Sequence, residues 1–299
     1  MAKGRELKGR IRSVENTRKI TRTMEMVATS KMKRAQDRVV AARPYARAIA
    51  DVIANLYSPE LAERFPLLRQ PGAARPDAGP RRAAILLLSS NRGLAGAFNA
   101  NLIREGRSLI ARLEGEGNQI ELHVVGRKAL GFFRYVGREI ASSHTDVTDR
   151  PSAGDAAKLV DDLMASFTSG ALDSVHVVYA RFQSALSTPA TAERILPIAP
   201  PEASDETGEG THRRDYLLFP SAEAILDQLL PSYVRNTVYR ALVETVAGEQ
   251  ASRRTAMKNA TDNASDMINV LRRNYNRARQ AQITQEIAEI VGGAAALQG

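Results

Sequence analysis

The segment from residue 249 to residue 297 leaves this chain few options for folding. It holds neither proline nor glycine before Gly292 and is filled with Ala, Met, Leu, Arg, Gln and Glu, which lose little rotamer freedom in a helix. Met257, Ala260, Ala264, Met267 and Leu271 recur at steps of three and four, and Ala278 and Ala281 continue the series past a polar slot at Asn274. That spacing predicts a coiled-coil seam with small knobs. A stripe so narrow cannot hold a globule together by itself, so it demands a partner helix. Pro231 suits the first turn of a helix, and residues 232–291 in one helix would reach on the order of 90 Å at about 1.5 Å per residue.

The partner stripe lies at the other end of the chain. From Ala28 it runs through Met32, Ala35, Val39, Ala42, Ala46, Ile49, Ile53 and Leu56, alternating steps of four and three. Upstream, Leu7, Ile11 and Val14 and then Ile20, Met24 and Val27 carry it in a shifted register, which predicts a local change in winding. Pro44 is expected to bend the helix near Arg43. The simplest assembly is a long antiparallel coiled coil of the two ends, with the middle of the chain hung at one end of it.

That middle has an α/β pattern. Residues 83–88 (AAILLL) form a continuous apolar run fit for a buried strand, and helical spacing follows over 100–113. Residues 120–125 and 175–182 read as strands, 156–167 as a helix, and 220–230 as a short helix leading into the long one. Strands alternating with helices predict a small three-layer, Rossmann-like α/β domain with a partly parallel sheet. The fold class is therefore mixed, α+β and α/β, with the coiled coil added. Residues 58–82, with five prolines, read as a linker or surface excursion, and the polar stretch 200–215 as a loop. The expected boundaries are a helix over 1–57, a linker over 58–82, an α/β domain over 83–199, a loop over 200–215 and a helix over 216–299.

Composition narrows the function. Without cysteine there is no disulfide, thiolate metal site or thiol catalysis. Five per cent aromatic residues and no Trp fit alanine-rich helical packing better than a bulky β-core. No apolar run approaches the roughly 20 residues of a membrane span, and the basic N-terminus lacks an apolar h-region, so the mature protein is expected to start near Met1. The net charge of +9 is unevenly placed: residues 1–43 carry 13 Lys and Arg against four acids, and the other 256 residues balance at 29 of each. Such a block points to an acidic partner.

Candidate chemistry is sparse. The loop 89–99 (SSNRGLAGAFN) sits where nucleotide-binding loops occur, but it lacks the Lys-Ser/Thr of a Walker A loop and has only Gly93 and Gly96 in place of three phased glycines. It reads as a tight strand-to-helix turn. His123, His144, His176 and His212 are scattered, without metal or triad spacing. Asp161 with Asp162, and Glu286 with Glu289, fall on predicted helices with no pocket around them. No catalytic residue, cofactor or metal ligand is expected.

Four separated motifs, in order, resemble the gamma subunit of the F-type rotary ATP synthase. They are IRSVENTRKITRTMEMVATSKMKRAQ (11–36), SSNRGLAGAFNANL (89–102), EQASRRTAMKNATDNASDMI (249–268) and YNRARQAQITQEIAEIVGGAA (275–295), joined by DYLLFPSAEAILDQLLPSYV (215–234). Ile283, Thr284, Glu286, Glu289, Gly293 and Ala294 fall at the spacing of that family's signature. The resemblance implies a non-catalytic rotor shaft that couples ion-driven rotation to ATP synthesis or hydrolysis in a ring of alpha and beta subunits. It further implies an epsilon subunit and a ring of c subunits as partners, and a peripheral place on the cytoplasmic face of a bacterial membrane, reached only through those partners. On the same grounds Met24 faces the beta lever, and Arg253, Gln280, Thr284 and Glu286 are candidates for polar contacts with the catalytic ring. The basic N-terminal block would meet acidic beta loops, and Ile287, Ile290 and Val291 would give a smooth apolar tip. The rival reading is a basic coiled coil that tracks nucleic-acid phosphates; an enzyme built on the α/β insert would require a ligand pocket.

Overall fold

The computed structural model describes residues 2–57, 64–69, 81–199 and 221–296. The expected loop over 200–215, the segment 216–220 and most of the expected linker lie outside the described residues. Along the chain come α1 (Ala2–Leu56), a 3-10 turn (Pro66–Leu68), β1 (Arg82–Leu88), α2 (Phe98–Gly115), β2 (Gln119–Val125), α3 (Arg127–Tyr135), β3 (Ser142–His144), α4 (Ala153–Thr168), β4 (Ser174–Ala180), β5 (Ala190–Leu196) and α5 (Ala222–Ala296). Two compact units result. Met1–Thr29 with Arg253–Gly299 forms the coiled-coil unit and Ser30–Ser252 the α/β unit.

In the coiled-coil unit the helices are antiparallel: Thr21 Oγ1 lies 2.8 Å from Thr261 Oγ1, and Arg272 donates to Glu15 at 2.7 Å. The seam of α1 keeps steps of four and three through Leu7, Ile11, Val14, Arg18, Thr21, Met24 and Ala28, all buried or half-buried. The expected shift of register is absent. Ile20 and Val27 are exposed, and polar Arg18 and Thr21 hold the seam positions instead. On α5 the seam runs Met257, Thr261, Ala264, Ile268, Leu271, Tyr275 and Ala278. Here too the apolar count misleads: Met267 is 55% exposed while Ile268 is 1% exposed, and Ala281 is exposed beside half-buried Gln282. The reason is Thr261, which is tolerated in the seam because Thr21 meets its hydroxyl across the interface. One of the two hydroxyls donates across the interface, and the other donates back along its own helix, Thr21 to Arg18 O at 3.1 Å or Thr261 to Met257 O at 2.8 Å.

A Thr21→Val substitution should cost about 1 kcal/mol, since it removes the cross-interface partner of the Thr261 hydroxyl in a part-buried seam. Adding Thr261→Val should recover most of that. A double-mutant cycle on urea midpoints checks the pair, and simple additivity of the two losses would deny the coupling.

The α/β unit is built on a five-stranded sheet of order β3-β2-β1-β4-β5, parallel except for β5. Strand β1 is buried from Ala83 to Leu88, as a parallel strand covered on both faces must be. Ala84, Leu86 and Leu88 point into one core with α4, Ile49, Ile53 and Leu56 of α1, and Leu226, Leu230, Val234 and Val238 of α5. Ala83, Ile85 and Leu87 point into the other with α2 and α3. Three layers follow, as the alternation of strands and helices predicts. The first core also takes Phe65, Leu67 and Leu68, so this part of the proline-rich stretch is core rather than a surface excursion. Strands β3 and β5 and helix α3 are additions to the predicted elements.

Neither proline interrupts its helix. Pro44 lies inside α1 and Pro231 inside α5, so the expected helix start at Pro231 moves back to Ala222. Ser221 Oγ caps that start by accepting the Ala224 amide at 3.2 Å. An internal proline costs about 3 kcal/mol; burial of Leu226, Leu230, Val234 and Val238 on both sides of Pro231 offsets it.

Candidate partner-binding surface

On the coiled-coil unit, apolar and basic side chains lie exposed outside the seam. Ile20, Met26 and Val27 of α1 and Val270 of α5 are exposed. The unit carries 15 Lys and Arg against seven Asp and Glu, nearly the whole net charge. Lys8, Arg12, Lys19 and Arg22 are exposed and have no carboxylate partner among the described residues. Near the end of α5 every residue from 283 to 292 is exposed. Ile283, Ile287, Ile290 and Val291 fall on one face there, an apolar stripe that no described residue covers.

The five predicted contact residues are spread along this unit. Met24 is half-buried, and Gln280, Thr284 and Glu286 are exposed. Thr284 Oγ1 donates to Gln280 O at 3.0 Å, and Glu286 accepts from Gln282 at 2.9 Å, so among the described residues these groups engage their own helix. Arg253 differs: it is 8% exposed, covered by its own chain.

On the α/β unit six cations converge on an open cleft of about 520 Å³ at the C-terminal ends of β1, β2 and β3. Lys31, Arg34 and Arg38 come from α1, Arg92 from the loop after β1, Arg127 from the start of α3, and Arg150 from the loop after β3. Asp149 pairs with Lys31 at 2.5 Å and Arg92 at 3.9 Å. Arg34, Arg38, Arg127 and Arg150 keep their side-chain charges unpaired among the described residues. Asn91 frames the cleft, donating to Thr145 O and Val147 O and accepting the Arg127 amide. Cations scattered over four elements left no spacing signal in the sequence.

The loop after β1 is a structural turn, as its glycine count predicts. Ser90 bonds Asn99 through its amide at 3.1 Å and its hydroxyl at 3.0 Å, while Ser89 Oγ donates to Val125 O and accepts the Ala129 amide. Ligands of doubly wound sheets bind where the connections diverge, here between the ends of β1 and β4. In this chain α5 fills that crevice. Phe182 N–H donates to Glu244 at 3.0 Å and Ala180 N–H to Thr245 at 3.4 Å. Gly248 sits so close that a Cβ there would lie 3.1 Å from Ala180 and 3.3 Å from the Phe98 ring. The space left beside it is about 40 Å³, too small for a nucleotide.

The titratable candidates have structural partners. Asp161 takes both arms of Arg235, at 2.7 and 2.9 Å. His123 Nδ1 meets Ser142 Oγ at 2.8 Å, and burial lowers its pKa. His212 lies outside the described residues. For His176 burial, assisted by Arg194 and Arg112, lowers the pKa from 6.5 to about 4. The unfolded chain therefore binds a proton near pH 6.5 that the folded chain refuses. Stability is full above pH 6.5 and is lost as the pH falls toward 4, by on the order of 3 kcal/mol. His176→Gln should flatten that part of the pH–stability curve, as urea midpoints from pH 4 to 7 would show.

No helix among the described residues is long and apolar enough to cross a membrane. The ATP synthase family model matches residues 3–297. The ATP synthase gamma chain of Gemmatimonas aurantiaca is 66% identical over 299 residues, covering 100% of both chains. That of Mycolicibacterium gilvum is 45% identical over 307 residues, covering 98% of this chain and 97% of its own. Among solved structures, a chain of the Euglena gracilis mitochondrial ATP synthase in its OSCP/F1/c-ring assembly aligns with a TM-score of 0.66 at 20% identity, covering 99% of this chain and 95% of that one. A chain of the same organism's rotor gives 0.63 at 20% identity, with coverage of 94% and 99%. These likenesses concern the fold.

Proposed function

The chain belongs to the ATP synthase gamma chain family, and from that premise we propose that it turns as the central shaft inside a ring of alpha and beta subunits. It is a non-catalytic subunit; ATP is made or split in its partners. The observation that carries the mechanism is the stripe Ile283, Ile287, Ile290 and Val291 on a helix end that nothing in the described chain covers. An apolar face left open in this way calls for a sleeve, and side chains without directional bonds let the sleeve be passed in any orientation. The unpaired cations of α1 and of the cleft around Arg34, Arg38 and Arg127 supply the complementary term, attraction to acidic loops of the ring. Met24, Arg253, Gln280, Thr284 and Glu286 are the proposed contacts with that ring.

At the other end, epsilon and the ring of c subunits are the proposed partners, and the chain sits peripherally on the cytoplasmic face of a bacterial membrane through them. The nucleic-acid reading gives way, because it accounts for the basic segment but for neither the small-residue seam nor the α/β unit. Reconstitution with alpha and beta subunits tests the proposal. ATP hydrolysis by the ring should rise severalfold when this chain is added; equal rates with and without it would refute the proposal.

A further inference from the structure

A second cation-rich cleft, of about 510 Å³, lies on the α/β unit where α1, the end of β4 and α5 meet. Arg43 and Arg47 enter it from α1, Arg181 from the end of β4 and Arg240 from α5, over a floor that includes Tyr179. The nearby carboxylates are already engaged. Glu193 accepts the Tyr179 hydroxyl at 2.8 Å and pairs with Arg240 at 3.3 Å and Arg181 at 3.5 Å. Glu244 accepts the Phe182 amide at 3.0 Å and stands 3.9 Å from Arg240. Arg43 and Arg47 make no ion pair among the described residues; Arg43 feels the charge of Glu244 only at longer range.

Two like charges one helical turn apart repel, and two more guanidiniums face the same space. Both features are relieved by one anion whose oxygens point in several directions. A carboxylate presents two oxygens in one plane. A tetrahedral phosphate can engage the forks of α1 and of α5 together, and guanidinium is the side chain best matched to it. The cleft is larger than a phosphate alone, so it has room for the molecule that carries one.

We propose that this cleft binds a small phosphate-bearing anion that ties α1 to α5. Calorimetric titration of the full-length chain with inorganic pyrophosphate at low salt tests it, beside R43Q/R47Q, R43K/R47K and an R104Q/R107Q control on α2. Saturable binding is expected, at least tenfold weaker in R43Q/R47Q and severalfold weaker in R43K/R47K, which keeps the charge and removes the forks. The control should stay within about twofold, and pyrophosphate should raise the melting temperature of the parent chain but not of R43Q/R47Q. Three results would each overturn the proposal: no saturable binding; equal weakening in the control, which marks unspecific charge attraction; or saturation by an Asp/Glu-rich peptide while pyrophosphate fails, which marks a protein-docking face. R43K/R47K binding as tightly as the parent would do the same.

Discussion

Ile268→Asp is expected to unzip α1 from α5 within the coiled-coil unit and to uncouple the assembled enzyme. Ile268 is 1% exposed in the seam, between Ala264 and Leu271. Removing it forfeits about 1.5–3 kcal/mol of apolar burial, and an unpaired carboxylate left in the seam adds several more. A domain is stable by only about 5–15 kcal/mol in total. The isolated chain should lose helix by circular dichroism, and the reconstituted complex should hydrolyse ATP with little ion pumping. Met267→Asp, one position earlier on the exposed side, should shift stability by no more than about 0.5 kcal/mol. Equal effects of the two would refute the seam.

Gly126→Ala is expected to cost the α/β unit roughly 3–5 kcal/mol. Gly126 ends β2 at φ +95°, and a Cβ there would lie 2.2 Å from the Ser89 carbonyl oxygen. Ser89 cannot yield, because its hydroxyl is held by Val125 O at 2.8 Å and the Ala129 amide at 3.1 Å. A lowered urea midpoint, with loss of the β1–β2 amides from hydrogen-exchange protection, would register it. Gly131→Ala supplies the contrast, since no atom lies within 4 Å of its added Cβ and the site is inside helix α3. That change should be neutral or stabilising by up to about 1 kcal/mol.

What the sequence disclosed, and what it hid, follows from how each residue earns its place. The run 83–88 announced a buried parallel strand because every side chain in it is apolar, and Ala28 to Leu56 announced a buried helix face because its period never breaks, although from Ser30 on that face belongs to the α/β unit. The seam upstream of Ala28 was hidden because Arg18 and Thr21 occupy it, and a count of apolar residues steps over them to the exposed Ile20 and Val27. Strand β5 was hidden by its polar, edge-strand sequence, and α3 by an N-cap without a side-chain bond. Pro231 misled because its local cost is outweighed by buried leucines and valines on either side. No local signal foretold that Gly248 would let α5 into the crevice between β1 and β4, since that fit depends on residues more than sixty positions away.

The claim that this chain is a turning shaft is tested most directly by watching it turn. Alpha and beta subunits are fixed to a surface, this chain is assembled with them, and a bead is attached to an engineered cysteine on α2. With ATP supplied, the bead is predicted to rotate stepwise in one direction, and Ile268→Asp should abolish sustained rotation. A complex of the unsubstituted rotor, carrying only the bead cysteine, that hydrolyses ATP at the full rate while the bead stays still would contradict the account.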